Sequence, residues 1–481
     1  MQHGQVEGAE ASERFADDVA LPCARGGRPA LTASALFGAL RLLLSAALAA
    51  WGLLGASPAL AVPAFAQQTG QPCSACHVGS FGPQLKPYAR DFKLFGYQAS
   101  DGKSHELPIA ATVISSFTHT DQPQTPNAAP HFGANDNFAV DQISLYYAGK
   151  APGGVGVFAQ ATYDGVARAF NLDNVDVRKV KALEIGDKDL AVGLDFNNNP
   201  GVQDAWNSTP AWGYPYNSSA LSRTPAASTL IDGTLQHQVV GTGAYVFWDY
   251  SIYAEATLYT PLNRVFAGRL GEGTNSQSDR YGAVAPYWRL ALNHDFGTKA
   301  SVEVGTYGIS AQRYPGGLDD FGADTLTDWA VDANVFDKVM KTQVVSMHAT
   351  WIHEDQSLRA SAQIDGTHLH DTLDTQRADL SWSFHDTWTP TVQLFRTTGS
   401  ADPVQYSGPG GSPNSDGYVV ELAYVGGGRP NSPILWANWR VALQYVGYER
   451  FDGDRQGASA HNTLYLNLWL AVAPLGALVA R

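Results

Sequence analysis

The chain has 481 residues, a formal net charge of -14, 16% charged residues and a mean hydropathy of -0.18. That balance excludes a disordered polymer, a bundle of membrane-spanning helices and a nucleic-acid binder, whose surface would have to be basic to neutralise phosphates. With 48 Gly, 12 Trp, 21 Tyr and 20 Phe against 3 Met and 3 Cys, the composition suits strands and turns better than helices.

From the N-terminus, one apolar stretch runs from Ala30 to Ala61, preceded by Arg25 and Arg28 and interrupted by Arg41. Its core, LLLSAALAAWGLL, is short for a bilayer span and leads to the A-x-A pattern Ala59-Leu60-Ala61. Residues 1–61 are therefore expected to be a cleaved secretory signal, with Ala64-Phe65-Ala66 as a second cleavage candidate and an uncleaved anchor as the alternative. Residues 1–24 carry Glu7, Glu10, Glu13, Asp17 and Asp18, too acidic for an n-region, which points to a true start further downstream. Cleavage would also remove Cys23 and leave an acidic mature chain with two cysteines.

Those two cysteines stand in Cys73-Ser74-Ala75-Cys76-His77, a C-x-x-C-H motif. Two thiols three positions apart on one helical turn can each add to a haem vinyl group, and the adjacent His77 then lies beneath the iron as axial ligand. Composition alone gives on the order of 5 × 10⁻⁴ chance matches, so coincidence is a poor account. A closed zinc site would need two distant histidines. A C-x-x-C redox disulfide would want a βαβ setting, whereas a loop, Val78-Gly79-Ser80-Phe81-Gly82-Pro83, follows. The sixth iron position has no evident owner: Met340, Met347, His105, Lys86, Lys93, water or an open site all stand as candidates.

Next, Pro87 to Phe95 reads as a helix with Pro at N1 and Gly96 at C′, and Tyr88, Phe92 and Phe95 fall on one face, suited either to haem packing or to docking. The haem segment, residues 62–107, is too short to fold unaided, so support from a cofactor and from the following domain is expected.

From Pro108 the sequence repeats segments of about ten residues with period-2 alternation, separated by Gly, Pro, Asn and Asp turns. Ile252, Ala254, Ala256 and Leu258 alternate with Tyr253, Glu255, Thr257 and Tyr259; Leu358, Ala360, Ala362 and Ile364 alternate with polar residues. Leu435 to Tyr445, Ala300 to Val304 and Thr463 to Val472 repeat the theme. Arg, Glu and Gln on one face, an uncharged opposite face and export together favour a membrane barrel over a soluble sandwich. Tyr245, Phe247, Trp248 and Tyr250 suit an interfacial aromatic girdle. Residues 108–481 are thus expected to form an antiparallel outer-membrane β-barrel of about 16 strands. Segments 199–236, 261–281, 313–326 and 399–416 are read as extracellular loops, and Trp248-Asp249-Tyr250 as a tight periplasmic turn. Asp319, Asp320, Asp324 and Asp328 are read as solvated loop acids in preference to a cation site.

The run VPAFAQQTGQPCSACHVGSFGPQLKPYARDFKLFGY resembles the N-terminus of the fused outer-membrane monohaem cytochrome–porin family. The likeness is close over residues 62–97 and architectural from 108 to 481. It implies one covalent haem c attached at Cys73 and Cys76 with His77 as the haem iron's axial ligand, and electron transfer from extracellular ferrous iron to a periplasmic carrier such as a soluble cytochrome. The run VGSFGPQ departs from the shorter linker of iron-oxidising members, which touches the identity of the substrate and leaves haem and barrel intact. No catalytic acid, base or nucleophile stands out. The reading is an outer-membrane electron conduit between an extracellular donor or acceptor and a periplasmic carrier. A diffusion porin with a haem-bearing plug or sensor and a soluble periplasmic cytochrome are the alternatives.

Overall fold

The computed structural model describes residues 63–102, 108–262, 268–269, 279–428 and 437–472. The expected signal segment, His105 and Leu435 lie outside the described residues. Three short helices come first: α1 (Pro63–Thr69), α2 (Cys73–Cys76) and α3 (Pro87–Leu94). Strands follow: β1 (Ile109–Thr120), β2 (Asn137–Ala151), β3 (Val155–Asp164), β4 (Ala169–Ile185), β5 (Lys188–Asn197), β6 (Val239–Trp248), β7 (Ile252–Pro261), β8 (Arg280–Gly282) and β9 (Ala285–Phe296). The second half comprises β10 (Ala300–Tyr314), β11 (Asp324–Met340), β12 (Gln343–Ser357), β13 (His370–Phe384), β14 (Trp388–Gly399), β15 (Ser415–Val425), β16 (Ala437–Arg450) and β17 (Thr463–Val472).

Apart from β8 and β9, each strand pairs antiparallel with its sequence neighbours, and β1 closes the ring by pairing with both β2 and β17: Ile114 lies opposite Gln142 on one side and Trp469 on the other. Closure removes the exposed edges that an open sheet would leave unpaired. Strands β8 and β9 both pair with β10 and form one stave broken at Ala283 and Val284, so the barrel has 16 staves.

The period-2 pattern sorts side chains between wall faces. On β7, Ile252 and Leu258 are exposed outward while Tyr253, Glu255, Thr257 and Tyr259 are buried inward; on β9, Trp288, Leu290 and Leu292 face out and Tyr287, Arg289 and Asn293 face in. The expected faces of β10, β16 and β17 follow the same register. Outward apolar side chains around a closed ring make a surface for lipid, and the inward set is largely polar.

Connections divide by end. At one end those between β1 and β2, β5 and β6, β7 and β8, β10 and β11, β12 and β13, β14 and β15, and β16 and β17 are long and only β3–β4 is short, while at the other end all are short but β15–β16. At the other end β6 turns into β7 through Asp249 and Tyr250, both at positive φ (51 and 53), and β13 turns into β14 through His385 and Asp386 (55 and 51). Short turns mark the periplasmic side of such barrels. Residue 108, entering β1, is at that side too, so the N-terminal helices meet the barrel at its periplasmic mouth.

Four expectations are corrected. Leu358 to Asp365 is not a strand: α4 (Arg359–Ile364) forms there, because the Asp324 carboxylate accepts the Ala360 and Ser361 N–H groups at 2.9 and 3.1 Å and the Ser361 hydroxyl at 2.6 Å, satisfying the helix start. Alternation among small residues fits either state. Asp324 and Asp328, read as loop acids, are buried inside the barrel, where Asp328 accepts the Ile231 N–H at 2.7 Å. Tyr245 and Phe247 point inward, each 2% exposed, and pack round α3 in place of forming a girdle. The long β5–β6 loop folds into the lumen, burying Val202 to Thr209.

Candidate functional site

The first turn after Gly70 is α2, and the His77 N–H closes it on the Cys73 carbonyl at 2.9 Å. His77 then adopts extended backbone (φ -114, ψ 142) and bridges to Leu85, while the Lys86 N–H donates to the Cys76 carbonyl at 2.8 Å. Residues 78–84 are thereby thrown out as a loop toward the wall. Its contacts account for the VGSFGPQ run: Asn438 Nδ2 donates to the Ser80 carbonyl at 2.8 Å, Gln84 Nε2 to Ser381 Oγ at 3.1 Å, and Phe81 meets Trp469 edge-on with ring centroids 5.1 Å apart. Gly79 sits at φ 66, and a Cβ there would come within 2.5 Å of Thr389 Oγ1. The run is therefore an anchor to β13, β16 and β17.

Helix α3 begins with Pro87 at N1 and ends at Gly96, whose φ of 69 satisfies the C′ position. Of the three expected face residues, Phe92 is buried and Phe95 packs on Tyr250, whereas Tyr88, in the first turn, is 42% exposed. The helix is fixed mainly by its cations. Arg90, 2% exposed, donates to Asp295 through both terminal nitrogens at 2.8 and 2.7 Å, to Asn293 at 2.9 Å and to Ser301 at 3.2 Å. Lys86 reaches Asp386 at 3.1 Å. Lys93 Nζ donates to the Val202 and Asp204 carbonyls and to Asn207 Oδ1 at 2.7, 2.5 and 2.8 Å, tying α3 to the inward loop. These cations were not singled out as anchors by sequence; their i, i+4 and i+7 spacing along one helix is the signal that could have found them.

The small segment has no core of its own. Ala64, Phe92 and Tyr97 share one cluster with Ala110, Tyr146, Ala148 and Phe158 of β1, β2 and β3, and Phe65 stacks on Tyr97 with centroids 5.0 Å apart. The segment's buried side chains among the described residues are thus shared with the barrel wall.

Cys73, Cys76 and His77 come together in the lining of a cavity inside the periplasmic mouth with a volume of about 320 Å³. Phe65, Phe92, Leu85, Ile114, Phe158 and Trp212 supply apolar lining. That volume falls at the lower end of the about 300–1,000 Å³ of ligand pockets. Burial pushes the Cys76 thiol up to about 11, partly offset by the Lys86 ammonium. Burial, with Lys86 second, lowers His77 to about 4, so its imidazole is neutral at ordinary pH and able to act as a metal ligand. His77 Nδ1, Tyr216 Oη and Trp469 Nε1 are buried with no hydrogen-bond partner among the described residues, and all three residues line the cavity. Leaving such groups unmet costs about 1–3 kcal/mol each, and a polar ligand in the cavity would offset that cost. Two thiols on one turn, a neutral imidazole beside them and an apolar cavity with unmet polar groups fit a covalently held haem.

The candidates for the sixth position fare unevenly. Met340 lies at the β11–β12 turn, 59% exposed, and Met347 points outward from β12, 42% exposed, so neither faces the cavity. Lys86 donates to the Ser74 carbonyl at 2.7 Å as well as to Asp386, and the Lys93 ammonium already has three acceptors.

Above α3 the lumen is filled by a charge cluster. Arg289, fully buried, meets Asp332 at 2.8 Å, Glu303 at 3.0 Å and Asp204 of the inward loop at 3.5 Å, with Trp206 and Tyr307 against its guanidinium.

Fold, register and orientation define an outer-membrane β-barrel whose periplasmic mouth holds a folded N-terminal plug. No family model and no curated protein matches the chain. Among solved structures the chain is similar to OmpF of Salmonella typhi in complex with daunomycin, at 11% identity over 76% of this chain and 96% of that one, with a TM-score of 0.42. The outer membrane channel DcaP of Acinetobacter baumannii gives 8% identity, coverage of 76% and 96%, and a TM-score of 0.43. An anion-selective porin from Comamonas acidovorans gives 11%, 76% and 98%, and 0.43. Scores of this size bear on neither activity nor substrate.

Proposed function

We propose that this protein is an outer-membrane electron conduit of the fused monohaem cytochrome–porin kind, carrying one covalent haem c and passing electrons between an extracellular donor, ferrous iron being the first to test, and a periplasmic carrier. The observation that carries the reading is the convergence of Cys73, Cys76 and His77 on a cavity inside the barrel mouth. When bound, the haem supplies one-electron exchange. The chain's own residues do the rest: the two thiols tether, His77 offers its neutral imidazole to the iron, Phe65, Phe92 and Phe158 keep water off one wall, and Arg90 and Lys93 hold the segment in place. The apolar band of such barrels is about 25 Å tall, so a single haem at one mouth leaves part of the span to be covered by partners or by the lumen contents.

The test uses proteoliposomes with the protein in one orientation, a membrane-impermeant reductant outside and oxidised cytochrome c inside. Reduction of the enclosed carrier should require haem and should fall in His77→Ala. Equal rates with and without haem would refute the conduit.

The second reading, a diffusion porin with a haem-bearing plug, is favoured by the stave number, which is that of general porins. The buried Arg289 cluster and the inward loop count against an open lumen.

A further inference from the structure

We propose that Trp469 on β17 and Tyr216 on the inward loop are carboxylate-binding donors, holding the propionate groups of the haem that Cys73 and Cys76 tether. The inference rests on the haem reading above. An indole N–H can only donate, and a phenol that finds no donor or acceptor beside it is equally unmet; both Trp469 Nε1 and Tyr216 Oη are buried in this state while their residues line the thiol cavity. Neither ring is loosely placed. Trp469 is held edge-on by Phe81 with centroids 5.1 Å apart, and Tyr216 by Tyr214 at 5.2 Å, so the donors are oriented before any ligand arrives.

What they call for is an acceptor. The rest of the lining narrows its source. Lys93 is a cation on the cavity wall, but its three protons go to Val202, Asp204 and Asn207, leaving none for an anion. Asp173, a carboxylate on the lining, is engaged by Thr162 at 3.1 Å and by His237 at 3.3 Å. A carboxylate entering this largely apolar space is therefore met by neutral donors, and a haem fixed at its vinyl edge by α2 brings two carboxylates with it at the opposite edge. The loop that sequence marks as extracellular thus becomes part of the cofactor pocket, and β17 joins it from the wall.

The experiment uses the full-length holoprotein with Trp469→Phe, Tyr216→Phe and the double variant. Resonance Raman should show the propionate bending modes displaced in each single variant and further in the double. The pH-dependent step in reduction potential should move upward by about one pH unit per donor lost, a tenfold gain in proton affinity of the propionate. Unchanged modes and an unchanged step in a protein that does carry covalent haem would overturn the proposal while leaving the conduit reading intact; a wild type with no covalent haem would instead sink the conduit reading. If Trp469→Phe blocks haem attachment, Trp469→His, which restores an N–H donor, should recover it. Failure of that rescue would reduce Trp469 to packing and also overturn the proposal.

Discussion

Replacing Arg90 by Met should release the N-terminal plug from the barrel without unfolding the barrel. Arg90 makes two charge-assisted bonds to Asp295, one bond to Asn293 and one to Ser301, all on β9 and β10. At about 1.5–3 kcal/mol for a bond to a charged group and about 1 kcal/mol for a neutral one, the gross loss is roughly 5–8 kcal/mol. Asp295 is 27% exposed and water can replace part of what it loses, and Met keeps the apolar stem, so the net cost to docking is about 3 kcal/mol. That corresponds to about a hundredfold rise in the undocked population. Hydrogen exchange reads it directly: amides of α3 should exchange about a hundred times faster in Arg90→Met, while amides of β3 to β14 keep their protection. Unaltered exchange in α3 would show that the aromatic cluster around Phe65 and Tyr97 holds the plug by itself and that the cation anchors are ornamental.

Three further outcomes are expected. Acidified acetone should leave colour on the wild-type polypeptide and find none on Cys73→Ser/Cys76→Ser; extraction of the colour from the wild type would rule out covalent haem. Leu290→Arg, on the outward face of β9 where Leu290 is 51% exposed, should cost about 2–4 kcal/mol of membrane stability, whereas Leu318→Arg in the β10–β11 loop should cost little; equal assembly of both would break the lipid-face assignment. In the haem-free Cys73→Ser/Cys76→Ser protein, NMR should titrate His77 near 4. Because that value is depressed below 6.5, the unfolded chain takes the proton first, so stability falls as pH drops from about 6.5 to about 4 and is flat above; a midpoint at 6.5 or higher would contradict the buried site.

How far the sequence carries can be judged residue by residue. Alternation identified β7, β10, β16 and β17 with the correct faces, because a wall with lipid on one side and polar contents on the other imposes period 2 over its whole length. The same rule misread Leu358 to Asp365, where Asp324, distant in sequence, decides the outcome by capping a helix. Aromatic residues near strand ends suggested a girdle, yet Tyr245 bonds the Leu94 carbonyl at 2.5 Å inside the barrel; type alone cannot say which side a ring faces when the lumen is itself packed. The C-x-x-C-H motif was legible from five residues, because the chemistry it suggests is local. The rest of the pocket was not, since Phe158, Tyr216 and Trp469 are gathered from two strands and a loop by barrel closure.

That packed lumen offers the sharpest division between conduit and porin. A diffusion pore needs a continuous water column, and here three elements stand across it: the plug, the inward loop from Asn198 to Gln238, and the Arg289 cluster that joins that loop to β9, β10 and β11. The cluster is closed by Asp204 and by Ser208, whose hydroxyl donates to Asp332 at 2.5 Å, so the loop is held by buried charges. Removing one partner of a buried ionic network costs about 3–5 kcal/mol, because the remaining charges are left desolvated. A spontaneous opening large enough for solutes would have to break several such contacts together and should be rare. Planar-bilayer recordings of the wild type should accordingly show no sustained porin-sized conductance, and replacing Val202 to Thr209 by a Gly/Ser linker should open steady channels of the size a 16-stave barrel allows. Large, stable wild-type conductance that the linker variant does not increase would mean that the lumen is open beside these elements, and the protein would then be better understood as a pore.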